Sequence, residues 1–212
     1  MTLLTFVQTH QAEVLDAIGS HIRLCACALT VAIALGVPVG IWCSRAQRRA
    51  GVVAAMTALR VVPSLALLTL LLPVLGLGFA PALVALVVLG CPPILVNTYV
   101  GYRDVDPAVR EAAAGMGMKP ADVLRRVESP LAMPVVLTGV KTAAVEIIAS
   151  ATLATFIGGG GLGDLINNGL QLDDTAMLAT GAILVAALAL IVEWGLSGVG
   201  AAMRRAQGIV LT

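Results

Sequence analysis

The sequence is poor in charged residues. Only 12% of its 212 residues carry a charge, whereas 59% are hydrophobic, and the formal net charge is +1. A soluble domain has about 25% charged residues and less than about 50% apolar ones. The composition therefore predicts an integral membrane protein surrounded by lipid. The net charge by itself says nothing about partners, and we expect no nucleic acid among them.

Side chains that bind metals or catalyse reactions are also scarce. The chain has two histidines, His10 and His21, and its four cysteines lie in apolar runs without the spacing of metal ligands. It lacks the phosphate-binding pattern G-x-x-x-x-G-K-[ST], so it is not expected to bind ATP itself. We expect no metal site and no cofactor in this chain.

Two short patterns resemble enzyme motifs, and neither has the context that its chemistry needs. Residues 158–163 match G-x-G-x-x-G, but they follow an apolar run and not a strand of a soluble βαβ unit. A glycine-rich turn that allows close backbone packing is the better interpretation. Ser197 lies in a G-x-S-G sequence near the inner end of the last apolar run, far from both histidines that could serve as its base. We therefore expect that this chain is not an enzyme.

Long apolar runs are what the sequence has in abundance. A membrane-spanning helix needs about 20 predominantly apolar residues. Five runs meet this requirement, at about 22–43, 51–75, 79–100, 131–157 and 176–200. They use most of the chain, so the predicted fold class is an all-α integral membrane protein with a single transmembrane domain over residues 1–212.

The basic residues lie on alternate sides of these runs. They follow the first run, the third run and the last run: Arg45, Arg48, Arg49, Arg103, Arg110, Lys119, Arg125, Arg126, Arg204 and Arg205. The intervening segments hold no lysine or arginine. The positive-inside rule then predicts five crossings, with the N-terminus outside, the C-terminus in the cytoplasm and the polar loop 101–130 in the cytoplasm.

The polar loop is predicted to hold two short helices. Asp106 is a suitable N-cap, with a proline in the first turn after it. Gly115 and Gly117 are expected to end this first helix. Lys119-Pro120 is expected to begin the second, and Ser129-Pro130 to end it.

One face of the first loop helix is small and apolar. It consists of Ala108, Val109, Ala112, Ala113 and Met116. An apolar face on a short helix outside the bilayer favours docking into a groove of another protein. The alternative is a solvated loop that lies on the membrane surface.

The same loop resembles a known family. Glu111, Ala112, Ala113 and Gly115, followed about fifteen residues later by Pro130, are similar to the EAA loop of ABC importer permeases. Residues 60–68 up to Gly78, and residues 156–163, resemble segments of the osmoprotectant permeases for glycine betaine, carnitine and choline. Together these segments extend the resemblance over roughly residues 20 to 205.

The resemblance implies a type I ABC importer permease with five transmembrane helices and a cytoplasmic coupling helix. In that family the coupling helix lies in a cleft of the ATPase. The expected ATPase-coupling residues are Val109, Glu111, Ala112, Ala113, Gly115, Met116 and Gly117.

The resemblance also implies the partners and the mechanism. We expect a cytoplasmic ABC ATPase dimer that holds ATP and magnesium, an extracytoplasmic substrate-binding protein, and a second permease subunit that is either a copy or a homologue. Five helices are few for a pathway, which also favours a two-fold pair. ATP binding would close the ATPase dimer and rock the helices of a prokaryotic inner-membrane complex by alternating access.

Polar residues inside the second and third runs are candidates for the translocation path or its gate. Arg60, Pro63 and Ser64 lie in the second run, where Pro63 can kink a helix. Asn97 and Thr98 lie in the third run, just after Pro92-Pro93. Two consecutive prolines predict a kink or break there, which either belongs to the moving part or is a static packing kink.

Glu146 lies about 22 Å along the fourth helix, at 1.5 Å per residue. A carboxylate at that depth is either protonated or paired. Lys141 is roughly 140° away around the helix, so Arg60 is the better candidate. The hypothesis is that Arg60 and Glu146 lie near each other along the path; a purely structural pairing is the alternative.

The substrate follows less directly from the sequence. The chain has only three phenylalanines, two tyrosines and two tryptophans, and they are scattered. We therefore expect no aromatic cage for a quaternary ammonium group in this chain, and recognition mainly in the separate binding protein. A methionine or other amino-acid importer permease is the alternative within the class, and a self-contained channel or carrier is the alternative outside it.

Overall fold

The computed structural model describes residues 3–46 and 49–206. This part of the chain forms helices without a strand: α1 (Leu3–Thr9), α2 (Gln11–Ser44), α3 (Ala50–Leu59), α4 (Ser64–Leu75), α5 (Phe79–Arg103), α6 (Pro107–Gly115), α7 (Pro120–Val123), α8 (Ser129–Ala151), α9 (Leu162–Gln171) and α10 (Thr175–Ala206). A π-helical turn (Leu124–Glu128) joins α7 to α8, and a 3₁₀ turn (Thr152–Ile157) follows α8.

The lengths of the apolar helices agree with a membrane protein. Four helical stretches are long and apolar enough to cross a bilayer: Gln11–Ser44, Phe79–Arg103, Pro120–Ile157 and Thr175–Met203. Helices α3 and α4 form a fifth if the bent pair is counted as one span. The predicted all-α membrane fold class is confirmed.

The second predicted span is broken more sharply than a proline kink. Helices α3 and α4 make an angle of 97° with each other. Pro63 has an extended backbone (φ −60°, ψ 132°) and immediately precedes α4. Proline disfavours the helical conformation of the residue before it, so the chain leaves the helix after Leu59 and starts again at Ser64.

The expected break at Pro92-Pro93 is wrong, because α5 continues as one helix through both residues; a kink there stays a prediction. Both prolines are buried, and α5 packs against α2 on one side and α8 on another. A Cβ at Gly139 of α8 would lie only 2.6 Å from the carbonyl oxygen of Pro93. This close packing from neighbouring helices keeps α5 helical where local propensity opposes it.

The expected helix end at Ser129-Pro130 is also wrong. The backbone stays helical from Pro120 to Ile157, so the second loop helix is the first part of a membrane helix. A proline ring crowds the carbonyl four residues before it, and the wider π turn at Leu124–Glu128 relieves that crowding. The Ser129 hydroxyl donates to the Leu124 carbonyl at 2.7 Å within this turn.

Glycines allow α2, α5 and α8 to approach closely. A Cβ at Gly36 would lie 2.9 Å from Ile94, and one at Gly40 would lie 2.6 Å from Thr98 and 2.8 Å from the Leu95 carbonyl oxygen. Gly36 and Gly40 of α2 thus form a small-xxx-small contact with α5.

The glycine-rich segment 158–161 forms a compact turn at the end of the bundle opposite to α6. Gly158, Gly160 and Gly161 have positive φ angles of 72°, 73° and 103°, which glycine adopts without steric cost. A Cβ at Gly161 would lie 3.1 Å from the ring of His21 in α2. The segment therefore serves close packing, as the sequence predicts.

Candidate functional site

Helix α6 is bounded by the local signals that the sequence contains. Asp106 Oδ1 accepts a hydrogen bond from Ala108 N at 2.8 Å and caps the first turn. At the other end Gly117 has a φ of 85°, Gly117 N donates to Ala114 O at 2.9 Å, and Met118 N donates to Ala113 O at 3.2 Å. These two bonds form a Schellman motif, which ends the helix as predicted.

Most of the predicted coupling residues are exposed on α6. Ala113 alone is buried, with 2% of its surface exposed, and it holds the helix against the bundle. Val109 and Met116 are exposed at 40% and 77%. The others (Glu111, Ala112, Gly115 and Gly117) are exposed as well. We call Val109, Ala112 and Met116 the α6 face.

An ion cluster around a buried glutamate lies under α6, and the sequence analysis missed it. Arg45 donates two hydrogen bonds to Glu128, from Nη1 to Oε1 at 2.9 Å and from Nη2 to Oε2 at 2.5 Å. Arg110 Nε lies 3.7 Å from the same Oε1. The Glu128 side chain is only 2% exposed. We call Arg45, Arg110 and Glu128 the loop cluster.

The loop cluster connects three separate elements. Arg45 follows the last residue of α2, Arg110 lies in α6, and Glu128 ends the π turn before α8. The hydrogen bonds from Arg45 to Glu128 raise the pKa of the Arg45 guanidinium above its ordinary value, so Arg45 stays charged. The loop cluster therefore links α6 to the ends of two membrane helices.

Further contacts hold the same region. The Tyr102 hydroxyl at the end of α5 is 2.8 Å from Ser129 Oγ, and Arg110 Nη2 donates to the Val105 carbonyl oxygen at 2.5 Å. A cavity of about 530 Å³ lies between α6 and the π turn, and the loop cluster lines it together with Ala114, Met118, Pro120, Ala121, Val123 and Leu124.

The predicted path residues fall into separate places. Arg60, Pro63 and Ser64 lie at the break between α3 and α4. Asn97 and Thr98 lie instead in helix interfaces of α5. A Cβ at Gly139 of α8 would lie 2.7 Å from Asn97 Cβ, and the Thr98 side chain packs on α2.

Arg60 and Glu146 are close enough for their charges to interact electrostatically. Within residues 3–46 and 49–206, however, no direct ion pair joins them. The structure thus brings the two groups into the same region without a hydrogen-bonded contact.

Lys141 has a partner that the sequence analysis did not identify. Lys141 Nζ of α8 lies 3.0 Å from Glu193 Oε1 of α10 and 3.4 Å from Ser197 Oγ. Glu193 and Ser197 are four residues apart on one helix face. That spacing is a sequence signal for a shared partner, but it does not say which helix supplies it.

The sequence and the fold of this chain are both similar to those of transport permeases. Residues 36–205 match the family described as the binding-protein-dependent transport system inner membrane component. The chain is 39% identical to the choline transport system permease protein OpuBB of Bacillus subtilis, over 92% of this chain and 90% of that protein. It is 40% identical to the carnitine transport permease protein OpuCB of Listeria monocytogenes, over 92% of this chain and 89% of that one.

A third relative is the osmoprotectant import permease protein OsmW of Salmonella typhimurium, which is 38% identical over 82% of this chain and 84% of its own length. Among solved structures, the MetNI methionine ABC transporter in an inward-facing conformation aligns with a TM-score of 0.82 at 18% identity, over 92% of this chain and 98% of the other. An amino acid ABC transporter aligns with a TM-score of 0.73 at 20% identity, over 97% and 98%. These structures show the fold alone.

Proposed function

Because the chain belongs to the family of binding-protein-dependent transport system inner membrane components, we propose that it is the permease subunit of an ATP-driven importer for osmoprotectants such as glycine betaine, carnitine or choline. The observation that carries this proposal is 38–40% identity, over most of both chains, to permeases named for choline, carnitine and osmoprotectant transport. The alternative, a permease of a methionine importer, is supported only by a shared fold with the MetNI methionine ABC transporter, at 18% identity.

The α6 face is the proposed contact with a separate ATPase dimer. Val109, Ala112 and Met116 are exposed on a short capped helix outside the apolar spans, as docking into a groove requires. ATP and magnesium are bound by the ATPase and not by this chain. The loop cluster then transmits motion of α6 to α2 and α8, which rock to alternate access.

The proposed orientation places α6 in the cytoplasm of a prokaryotic cell and the N-terminus outside the inner membrane. The support is the distribution of lysine and arginine in the sequence. An extracytoplasmic binding protein delivers the solute, and a second permease subunit, either a copy or a homologue, completes the path.

Replacing Met116 by aspartate should weaken association with the ATPase by at least about tenfold, since an apolar contact is lost and a carboxylate is buried in its place. The chain itself should fold normally, because Met116 is 77% exposed. Recovery of the ATPase with tagged permease from mild detergent measures the effect. Leu172→Asp, at an equally exposed position (72%) in the turn between α9 and α10, is the matched control and should leave recovery unchanged.

Replacing Glu146 by glutamine should lower solute uptake about fivefold, or about 1 kcal/mol, because Arg60 loses its nearby counter-charge in the path. Uptake into proteoliposomes and the yield of folded protein are measured together. Asp173→Asn is the control, because this residue is exposed and asparagine tolerates its φ of 53°. Unchanged uptake at unchanged yield would remove Glu146 from the path.

Purification in mild detergent from the native membrane, with mass spectrometry of the eluate, tests the proposed complex. We expect an ABC ATPase and a binding protein with the tagged chain. A homologous permease in the same eluate would identify a heteromeric pair. Recovery of the chain alone, active without ATP, would favour the channel or carrier.

A further inference from the structure

A second ion pair, apart from the loop cluster, joins two of the apolar helices. Lys141 of α8 and Glu193 of α10 are 3.0 Å apart, within the spans Pro120–Ile157 and Thr175–Met203. Their side chains are 31% and 38% exposed, so the described part of the chain covers neither completely. Charged residues at such positions are unfavourable in lipid, and they characteristically face protein or a water-filled path.

A small cavity adjoins this pair. Lys141 and Ser197 line it together with Thr138, and its volume is about 100 Å³. A cavity of this volume can hold several water molecules, and therefore a carboxylate group. Lys141 Nζ donates to Ser197 Oγ at 3.4 Å, and both side chains have donor groups that a carboxylate entering the cavity could accept from.

We propose that Lys141, Ser197 and Glu193 form a contact site for zwitterionic quaternary ammonium solutes on the translocation path. The solute carboxylate binds Lys141 and Ser197 in the cavity, and its quaternary ammonium group lies against the Glu193 carboxylate. This inference rests on the proposed function, since it names the solute class that the permease itself favours.

The chemistry of the solute matches the pair. A quaternary ammonium group has no N–H and cannot donate an ordinary hydrogen bond, so it needs a negative charge or an aromatic ring. The cavity lining contains no aromatic residue. Glu193, which is not part of that lining but lies 3.0 Å from Lys141 Nζ, supplies the attraction. When a zwitterion enters, Lys141 and Glu193 separate and each takes the opposite charge of the solute, so no charge is left unpaired.

A solute that carries a positive charge and no carboxylate binds this site less favourably. It would take Glu193 from Lys141 and leave the Lys141 ammonium unpaired beside a second positive charge, which is unfavourable. Lys141 therefore acts as a specificity residue that favours zwitterions such as glycine betaine over cations such as choline. If the pair only joined α8 to α10, its loss would affect both solutes equally.

The test uses the whole importer, reconstituted in proteoliposomes with its ATPase, second permease subunit and binding protein. ATP-driven uptake of glycine betaine and of choline is measured for the wild type and for Lys141→Gln. The binding protein is the same throughout, so a change in the ratio of the two uptake rates arises in the permease. We expect betaine uptake to fall about tenfold, as for the loss of one charged hydrogen bond, while choline uptake is unchanged or rises.

Two further variants complete the test. Ser197→Ala should shift the ratio about threefold in the same direction, because a neutral hydrogen bond is removed; it also carries the test if Lys141→Gln does not assemble. Arg23→Gln removes a positive charge from α2, where Arg23 lies over the Phe79 ring, and it should leave the ratio unchanged.

An equal fall in both uptake rates, or no change in either, would overturn the contact site. Wild-type uptake of choline without uptake of betaine would overturn it as well. ATP-driven uptake of neither solute by the wild type would instead overturn the proposed function, so the two failures are distinguishable.

Discussion

A single methyl group at residue 139 is expected to destabilise the bundle. A Cβ at Gly139 would lie 2.6 Å from the Pro93 carbonyl oxygen and 2.7 Å from Asn97 Cβ. One of these atoms belongs to the backbone of α5, which α2 also contacts, so it cannot move aside without disturbing a second interface. Gly139→Ala should therefore cost about 1–3 kcal/mol and lower the apparent Tm in detergent by about 2–12 °C.

Gly19→Ala is the matched control, because it makes the same substitution in another membrane helix. No atom of the described residues lies within 4 Å of a Cβ at Gly19, and alanine is a better helix former than glycine by about 1 kcal/mol. Its Tm should be unchanged or slightly higher. If both variants lose the same stability, close packing between α5 and α8 is not what holds the bundle.

The second large effect is expected when Glu128 is replaced by glutamine. The substitution leaves Arg45 and Arg110 facing each other without the carboxylate that both contact. Removing one partner of a fully buried pair costs about 3–5 kcal/mol. The effect should be smaller here because the two arginines are 38% and 32% exposed and can be partly rehydrated.

Loss of the loop cluster should release α6 from α2 and α8. We expect solute uptake per ATP hydrolysed to fall at least about tenfold, which corresponds to about 1.4 kcal/mol, while the α6 face still binds the ATPase. Uptake and phosphate release from the same proteoliposomes give this ratio directly.

Asp122→Asn makes the same acid-to-amide change seven residues from Gly115, at an exposed pair with Arg126 whose charged atoms are 3.7 Å apart. Exposed pairs of this kind contribute about 0–1 kcal/mol, so this variant should resemble the wild type. A Glu128→Gln complex with an unchanged ratio of uptake to hydrolysis would show that the loop cluster has no part in coupling.

Local signals were sufficient to predict where α6 begins and ends, and residue spacing also accounts for one helix contact. Asp106 caps α6 and Gly117 ends it because each provides a hydrogen bond or a backbone angle that any helix end requires. Gly36 and Gly40 lie at a helix contact because small residues at this spacing allow two backbones to approach.

Tertiary packing decided what local signals did not. Pro92 and Pro93 remain helical because neighbouring helices pack against α5. Pro130 remains helical because a π turn precedes it. The pairs Arg45–Glu128 and Lys141–Glu193 join residues 83 and 52 positions apart. Neither pair has a periodic spacing, so the partners become evident only when the helices are placed together.

The central claim is that this chain moves solute only when a partner hydrolyses ATP. The most direct test is uptake of radiolabelled glycine betaine into proteoliposomes that contain the purified complex, with ATP supplied to the side that exposes α6 or withheld from it. We predict uptake only with ATP, and none from liposomes that contain this chain without the ATPase. Equal uptake without ATP, or flux through the chain alone, would contradict the account.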